Sequence, residues 1–226
     1  MNAFAEIFIE ADHGLFTAEL AAARCVHLCC GGPEHADLPI PIEEWAEQEL
    51  RYGVEYEEID PDGKLHVLGY SEPGNNRIVL NARHIDDVFR LRFTLAHEIG
   101  HHTLNHYAPN APDVRLNKHL PDGPDHERLE REANRFARAL LMPPTLLHRF
   151  FNQVTADEGL SDEALLGVLG NDPAGTEFWE QVIVPRTCCA FQVSAPAVLL
   201  RFCDLTLSRS HEPILSTFHA ERLLDA

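Results

Sequence analysis

Apolar and polar positions change period along this chain, and the changes divide it into parts. From Val54 the order Val-Glu-Tyr-Glu-Glu-Ile alternates at first, as a half-buried strand does. Pro61-Asp62-Gly63 predicts a turn, residues 65–70 a second strand, residues 72–76 a loop and residues 77–81 a third strand. After that the apolar spacing lengthens to a helical one. Leu91, Leu95, Ile99 and His102 form one stripe, and Phe93, Ala96, His97, Gly100, His101 and Leu104 a neighbouring one. Such a helix is apolar around most of its circumference and is predicted to be buried, capped by Asp86 or Asp87. Prolines 109, 112 and 121 make residues 106–123 a loop. A second helix is predicted over 124–142, with the stripe Leu129, Ala133, Phe136, Ala137, Leu140, Leu141 and a stop at Pro143-Pro144.

The flanks read less sharply. Residues 1–33 predict a helical extension, capped by Thr17, with Leu20, Ala21, Arg24, Cys25 and Leu28 on one face and an end at Gly31-Gly32. Residues 34–41 form a linker, and residues 42–52 a helix with Trp45 and Leu50 on its buried side. Beyond Pro144, short helices are expected over 145–154 and 161–169, a turn over 171–175, short strands over 182–184 and 188–193, and a last helix from Ser194 through Leu205. No internal repeat is visible. The resulting organisation is an N-terminal helical extension (1–36), a central domain (37–152) and a C-terminal helical segment (153–226) with a helix-turn-helix-like stretch.

The buried helix carries the chemistry. His97-Glu98-Ile99-Gly100-His101 is an H-E-x-x-H sequence. On a helix the two histidines lie one turn apart on one face, where two imidazoles can bind one Zn²⁺ and Glu98 can reach a water beside it. A glutamate between Ala96 and Gly100 in a buried helix calls for a reason, because an unpaired buried carboxylate is costly. A third ligand is sought on the helix over 124–142. Glu132 lies three residues after Leu129 and four before Phe136, so it points along the apolar stripe. Glu130 takes its place if the helix is phased differently. Two His and one Glu leave an open position, as hydrolytic zinc requires.

Arg92 through His101, followed by Glu132-Ala133-Asn134-Arg135-Phe136-Ala137 and Leu140-Leu141-Met142-Pro143, resembles the ImmA/IrrE family of metallopeptidases. The likeness covers residues 42–143, and residues 193–207 resemble, more loosely, the family's short helical segment after the peptidase core. It implies an α+β, zincin-like core in which a small three-stranded sheet packs on the H-E-x-x-H helix, followed by a mostly helical C-terminal part. It also implies a cytoplasmic endopeptidase that cuts a helix-turn-helix repressor in a stress or mobile-element response. In such a fold an edge strand pairs with an extended peptide; residues 65–70 and 77–81 both qualify.

Composition narrows the partners. Thirty-six acidic residues against 18 basic ones give a net charge of −18, which repels phosphate backbones and disfavours direct nucleic-acid binding. A basic protein, as many repressors are, is attracted. The charge also argues against a DNA-reading role for the C-terminal stretch. No apolar run is long enough for a membrane span, and the first ten residues lack Lys and Arg. Four of the six cysteines stand in adjacent pairs, which suits a reduced cytoplasm better than a disulfide framework.

The expected mechanism uses Zn²⁺, with Mn²⁺ or Fe²⁺ as alternatives, held by His97, His101 and Glu132, and Glu98 as general base and then acid. Oxyanion donors are sought among Tyr70, His102 and Tyr107, with His102 also readable as a packed residue and His106 as a structural one. Asn134 is a candidate for orienting a ligand by hydrogen bonding. The alternative to an enzyme is a catalytically silent zincin that binds a partner.

Overall fold

The computed structural model describes residues 13–59, 67–107, 124–161 and 173–206. Helix α1 (His13–Cys30) comes first, followed by a 3₁₀ turn (Pro33–His35) and α2 (Ile42–Glu44, continued by a π-helical turn over Trp45–Glu49). Three strands follow: β1 (Gly53–Glu57), β2 (Gly69–Glu72) and β3 (Arg77–Asn81). The rest is helical: α3 (Val88–Thr103), α4 (Pro124–Leu141), α5 (Pro144–Asp157), α6 (Pro173–Phe178, continued by a π-helical turn over Trp179–Ile183), α7 (Val184–Phe191) and α8 (Ala195–Thr206). The architecture is α+β, with a small mixed sheet and helices after it, as the pattern and the resemblance led one to expect.

The sheet order is β1-β3-β2. β3 runs parallel to β1, with Val54 opposite Ile78, and antiparallel to β2, with Ser71 opposite Ile78. Ile78, Val79 and Leu80 are all buried, as a central strand covered on both faces should be. Of the two strands that qualified as the edge, residues 77–81 are therefore central. The other begins later than predicted, at Gly69, and forms an edge among the described strands.

α3 lies between this sheet and α4. Gly100 makes the second contact close. A Cβ there would stand 3.0 Å from Phe136 Cδ1 and 3.3 Å from the Ala133 carbonyl oxygen. The missing side chain therefore lets the histidine-bearing helix approach α4 at the level of the site. α4 is buried on two sides, since α1 packs against it as well. Ala18, Ala22 and Val26 of α1 belong to the same hydrophobic core as Leu95 and Ile99 of α3 and Phe136 and Leu140 of α4.

Several local expectations are corrected. α1 starts at His13, so Thr17 lies inside it. Its buried face is Ala18, Ala22, Cys25 and Val26, while Leu20 and Leu28 are exposed. Small side chains allow close helix packing, and here that outweighs the larger leucines. Residues 182–184 and 188–193 are not strands but mostly helix. Trp179, Ile183, Val184, Thr187 and Phe191 are buried at a helical period that windows of three or six residues cannot display. The Thr187 hydroxyl donates to the Ile183 carbonyl at 2.7 Å, which suits a helix. Gly175, expected in a turn, lies in α6. The helix predicted over 161–169, the turn at 61–63 and most of the loop over 106–123 lie outside the described residues.

Candidate active site

Asp87 caps α3, its Oδ1 accepting from the Arg90 amide at 3.1 Å. Ten residues on, His97 and His101 stand one turn apart with ring centroids 4.6 Å apart. Their Nε2 atoms face each other at 2.9 Å. The carboxylate that meets them is that of Glu130 on α4. Its Oε2 lies 3.3 Å from His97 Nε2, and its Oε1 3.3 Å from His101 Nε2. These three residues are the one His/Cys/Asp/Glu group among the described residues able to surround a cation.

Glu132 is elsewhere. Its side chain is buried, as its place on the stripe requires, but Oε1 accepts from Arg128 Nη1 at 2.6 Å and Oε2 lies 3.2 Å from His106 Nε2. The geometry thus puts Glu130, and not the expected Glu132, at the imidazoles. The reason lies in the two buried sides of α4. An apolar stripe shows which side of a helix is inward, but not which neighbour a given inward residue meets. Residues 130 and 132 are about 200° apart around the helix. A signal was nonetheless present, because Asn134, already a candidate ligand-orienting residue, lies one turn after Glu130 on the same face.

The donor set fits a divalent cation. Ligands about 2.1 Å from a tetrahedral ion are separated by about 3.4 Å, close to the spacings here. Glu130 Oε1 is buried and accepts no hydrogen bond from any described residue, so a lone pair is left facing the site. Burial acts to raise the Glu130 pKa, yet the two imidazoles hold it far below the usual carboxylate range. Burial likewise opposes a charge on His97, and the acidic neighbours Glu130 and Glu98 override it, raising its pKa. The pocket is therefore electrostatically prepared for positive charge.

Around this group the remaining candidates separate. His97 Nδ1 lies 3.1 Å from Asn134 Oδ1, an acceptor that fixes the proton on Nδ1 and turns Nε2 toward Glu130. Glu98 is buried; its Oε2 accepts from Ser71 Oγ at 2.6 Å and from the Tyr107 hydroxyl at 3.4 Å. Burial and Glu98 push the Tyr107 phenol well up, so it stays a neutral O–H donor beside the site. Tyr70 is on the opposite face of β2 from Ser71, because strand side chains alternate and Gly69 and Ser71 both face α3. His102 packs between Tyr52 and Tyr107, with ring centroids at 4.7 and 5.1 Å. Burial lowers its pKa to about 4, and its Nε2 has no hydrogen-bond partner among the described residues. Ser71 was not foreseen: a serine in a strand carries no motif, and only the packing of β2 on α3 brings it to Glu98.

No curated protein matches the chain. The family model described as Peptidase_M78, IrrE N-terminal-like domain, matches residues 51–164. That span contains β1 to β3, the H-E-x-x-H helix and the whole of α4, so both halves of the site fall within it. The chain belongs to this peptidase family.

Proposed function

We propose that this protein is a zinc-dependent endopeptidase that hydrolyses a peptide bond in a regulatory protein, a helix-turn-helix repressor, in a stress or mobile-element response. The observation that carries the catalytic part is the convergence of His97, His101 and Glu130 while Glu98, on the same helix, stays outside the cluster. His97, His101 and Glu130 would hold the metal, which when bound would polarise the scissile carbonyl and acidify a water. Glu98 is the group placed to accept a proton beside such a cation and to return it to the leaving amine. Ser71 holds Glu98 Oε2, which fixes the carboxylate and leaves Oε1 for the water. Tyr107 offers a neutral hydroxyl for the developing oxyanion. β2, an edge of the described sheet, offers main-chain groups to an extended substrate next to this machinery.

The substrate class rests on charge and on the family. A chain of net charge −18 attracts a basic DNA-binding protein and repels DNA itself. The cytoplasm is the proposed location. No single described helix is long and apolar enough to cross a membrane, and no disulfide joins the described cysteines. The second reading, a silent metal-bound regulator, draws on the 2.6 Å Ser71–Glu98 bond, which ties up one oxygen of the base. Glu98→Gln decides between them. In the enzyme it keeps its zinc, measured by elemental analysis, and loses cleavage by at least about 10²-fold. Unchanged function with bound metal would establish the regulator instead.

A further inference from the structure

We infer that His106 and Glu132 form a hydrogen-bonded relay that sets the tautomer and orientation of the His101 imidazole, making both of them positioning residues for the metal site. The inference rests on the reading of His97, His101 and Glu130 as ligands. His101 Nδ1 lies 3.0 Å from His106 Nδ1, and His106 Nε2 lies 3.2 Å from Glu132 Oε2. Arg128 Nη1 donates to the other oxygen of Glu132 at 2.6 Å.

With a cation on His101 Nε2, that ring carries its proton on Nδ1 and needs an acceptor there, and one placement of protons then satisfies the chain. Glu132 is a carboxylate paired with Arg128 and can only accept, so His106 carries its proton on Nε2. A neutral His106 then presents a bare Nδ1, which must accept from His101. His101 is thereby held as its Nδ1–H tautomer, with the Nε2 lone pair aimed at His97 Nε2 and Glu130. The two ring planes are steeply inclined, at 74°, with centroids 5.0 Å apart, so the nitrogens meet edge on rather than by stacking.

The relay completes a symmetry of roles on α4. Glu130 is the ligand, Asn134 orients His97 directly, and Glu132 orients His101 through His106. Both H-E-x-x-H imidazoles thus have an acceptor on Nδ1, which is how ligating histidines are kept in register with their metal. A burial role for His106 would need none of this directionality.

The test is zinc affinity of the full chain by chelator competition, with circular dichroism of the metal-free protein as the control for folding. His106→Phe keeps the ring and removes the acceptor; it is expected to weaken zinc binding by about 10–100-fold. His106→Gln restores an acceptor toward His101 and a donor toward Glu132, and should lie within about threefold of wild type. Glu132→Leu leaves both rings in place and breaks the chain at its far end, so it too should weaken binding if His106→Phe fails to fold. In the zinc-loaded protein the His101 Nδ1–H should give a slowly exchanging proton resonance that both disruptive variants lose. Wild-type affinity in His106→Phe or in Glu132→Leu, or loss as large in His106→Gln as in His106→Phe, overturns the relay alone. A wild-type chain that binds no zinc overturns the ligand assignment and the relay with it.

Discussion

His97 and His101 meet Glu130 because a four-residue step on α3 and a four-residue step on α4, from Glu130 to Asn134, face each other across the gap that Gly100 leaves. At this scale the H-E-x-x-H residues were fully legible, since their spacing depends only on helix geometry. The carboxylate that meets the imidazoles was legible as a choice between two glutamates, and Glu130 is the one that meets them while Glu132 meets His106. Glu130→Gln is expected to weaken zinc binding by more than about 100-fold, beyond the effect typical of an outer hydrogen-bonding partner. Chelator competition checks this, and a smaller loss than for Glu132→Leu would return the ligand role to Glu132. Ser71 and the His106 contact were not legible, because a serine or a histidine without a partner in sequence acquires meaning only from what packs against it.

α3 and α4 are the elements on which the site depends, and their separation is set by one missing side chain. Gly100→Val would press branched methyls on Phe136 and on the Ala133 carbonyl, which a Cβ alone already approaches to 3.0 and 3.3 Å. The expected cost is about 1–3 kcal/mol of stability from overpacking, read as a lowered denaturant midpoint. Zinc affinity should fall with it, because moving α4 outward carries Glu130 from the imidazoles; unchanged affinity in a destabilised variant would separate the glycine from the site. Long elements with a sustained period, α3 and α4, were foreseen nearly to the residue. The mistaken strands over 182–184 and 188–193 were short apolar runs lying mostly within α6 and α7, and runs that short do not display a period.

Across the molecule, the first and last described helices are tied to α4 by a buried ionic network. Arg201, fully buried on α8, forks onto both oxygens of Glu19 on α1 and donates through Nε to the Met142 carbonyl at 3.0 Å. Arg135 of α4 also reaches Glu19 and, with Arg138, holds Asp204 of α8. Burial acts to raise the pKa of Glu19, but Arg201 and then Arg135 outweigh it and leave it lowered. A carboxylate whose pKa is lower in the folded state stabilises the fold fully above the ordinary carboxylate value, and that contribution is lost as pH falls from there through the lowered folded value. Glu19→Gln should therefore cost about 3–5 kcal/mol near pH 7 by removing the counter-ion of the fully buried Arg201, while Arg135 keeps Asp204. Below about pH 4 the deficit should shrink, the sign expected from linkage. Thermal melts of metal-free wild type and variant across pH 3–8 test this, and a pH-independent difference would remove Glu19 from the acid response.

By itself the sequence determined the helix that carries the two imidazoles and Glu98, the helix whose carboxylate meets them, the strands before them and the acidic character of the whole. Each of these is written in a period, a spacing or a sum, quantities local to the chain or independent of its fold. Only the tertiary structure decided that Glu130 rather than Glu132 faces the imidazoles, that Ser71 holds Glu98, and that α1 belongs in the same core as α4. Those outcomes depend on which surfaces meet and at what rotation, and a helix buried on two sides gives no sign in its own residues of which neighbour stands on which side.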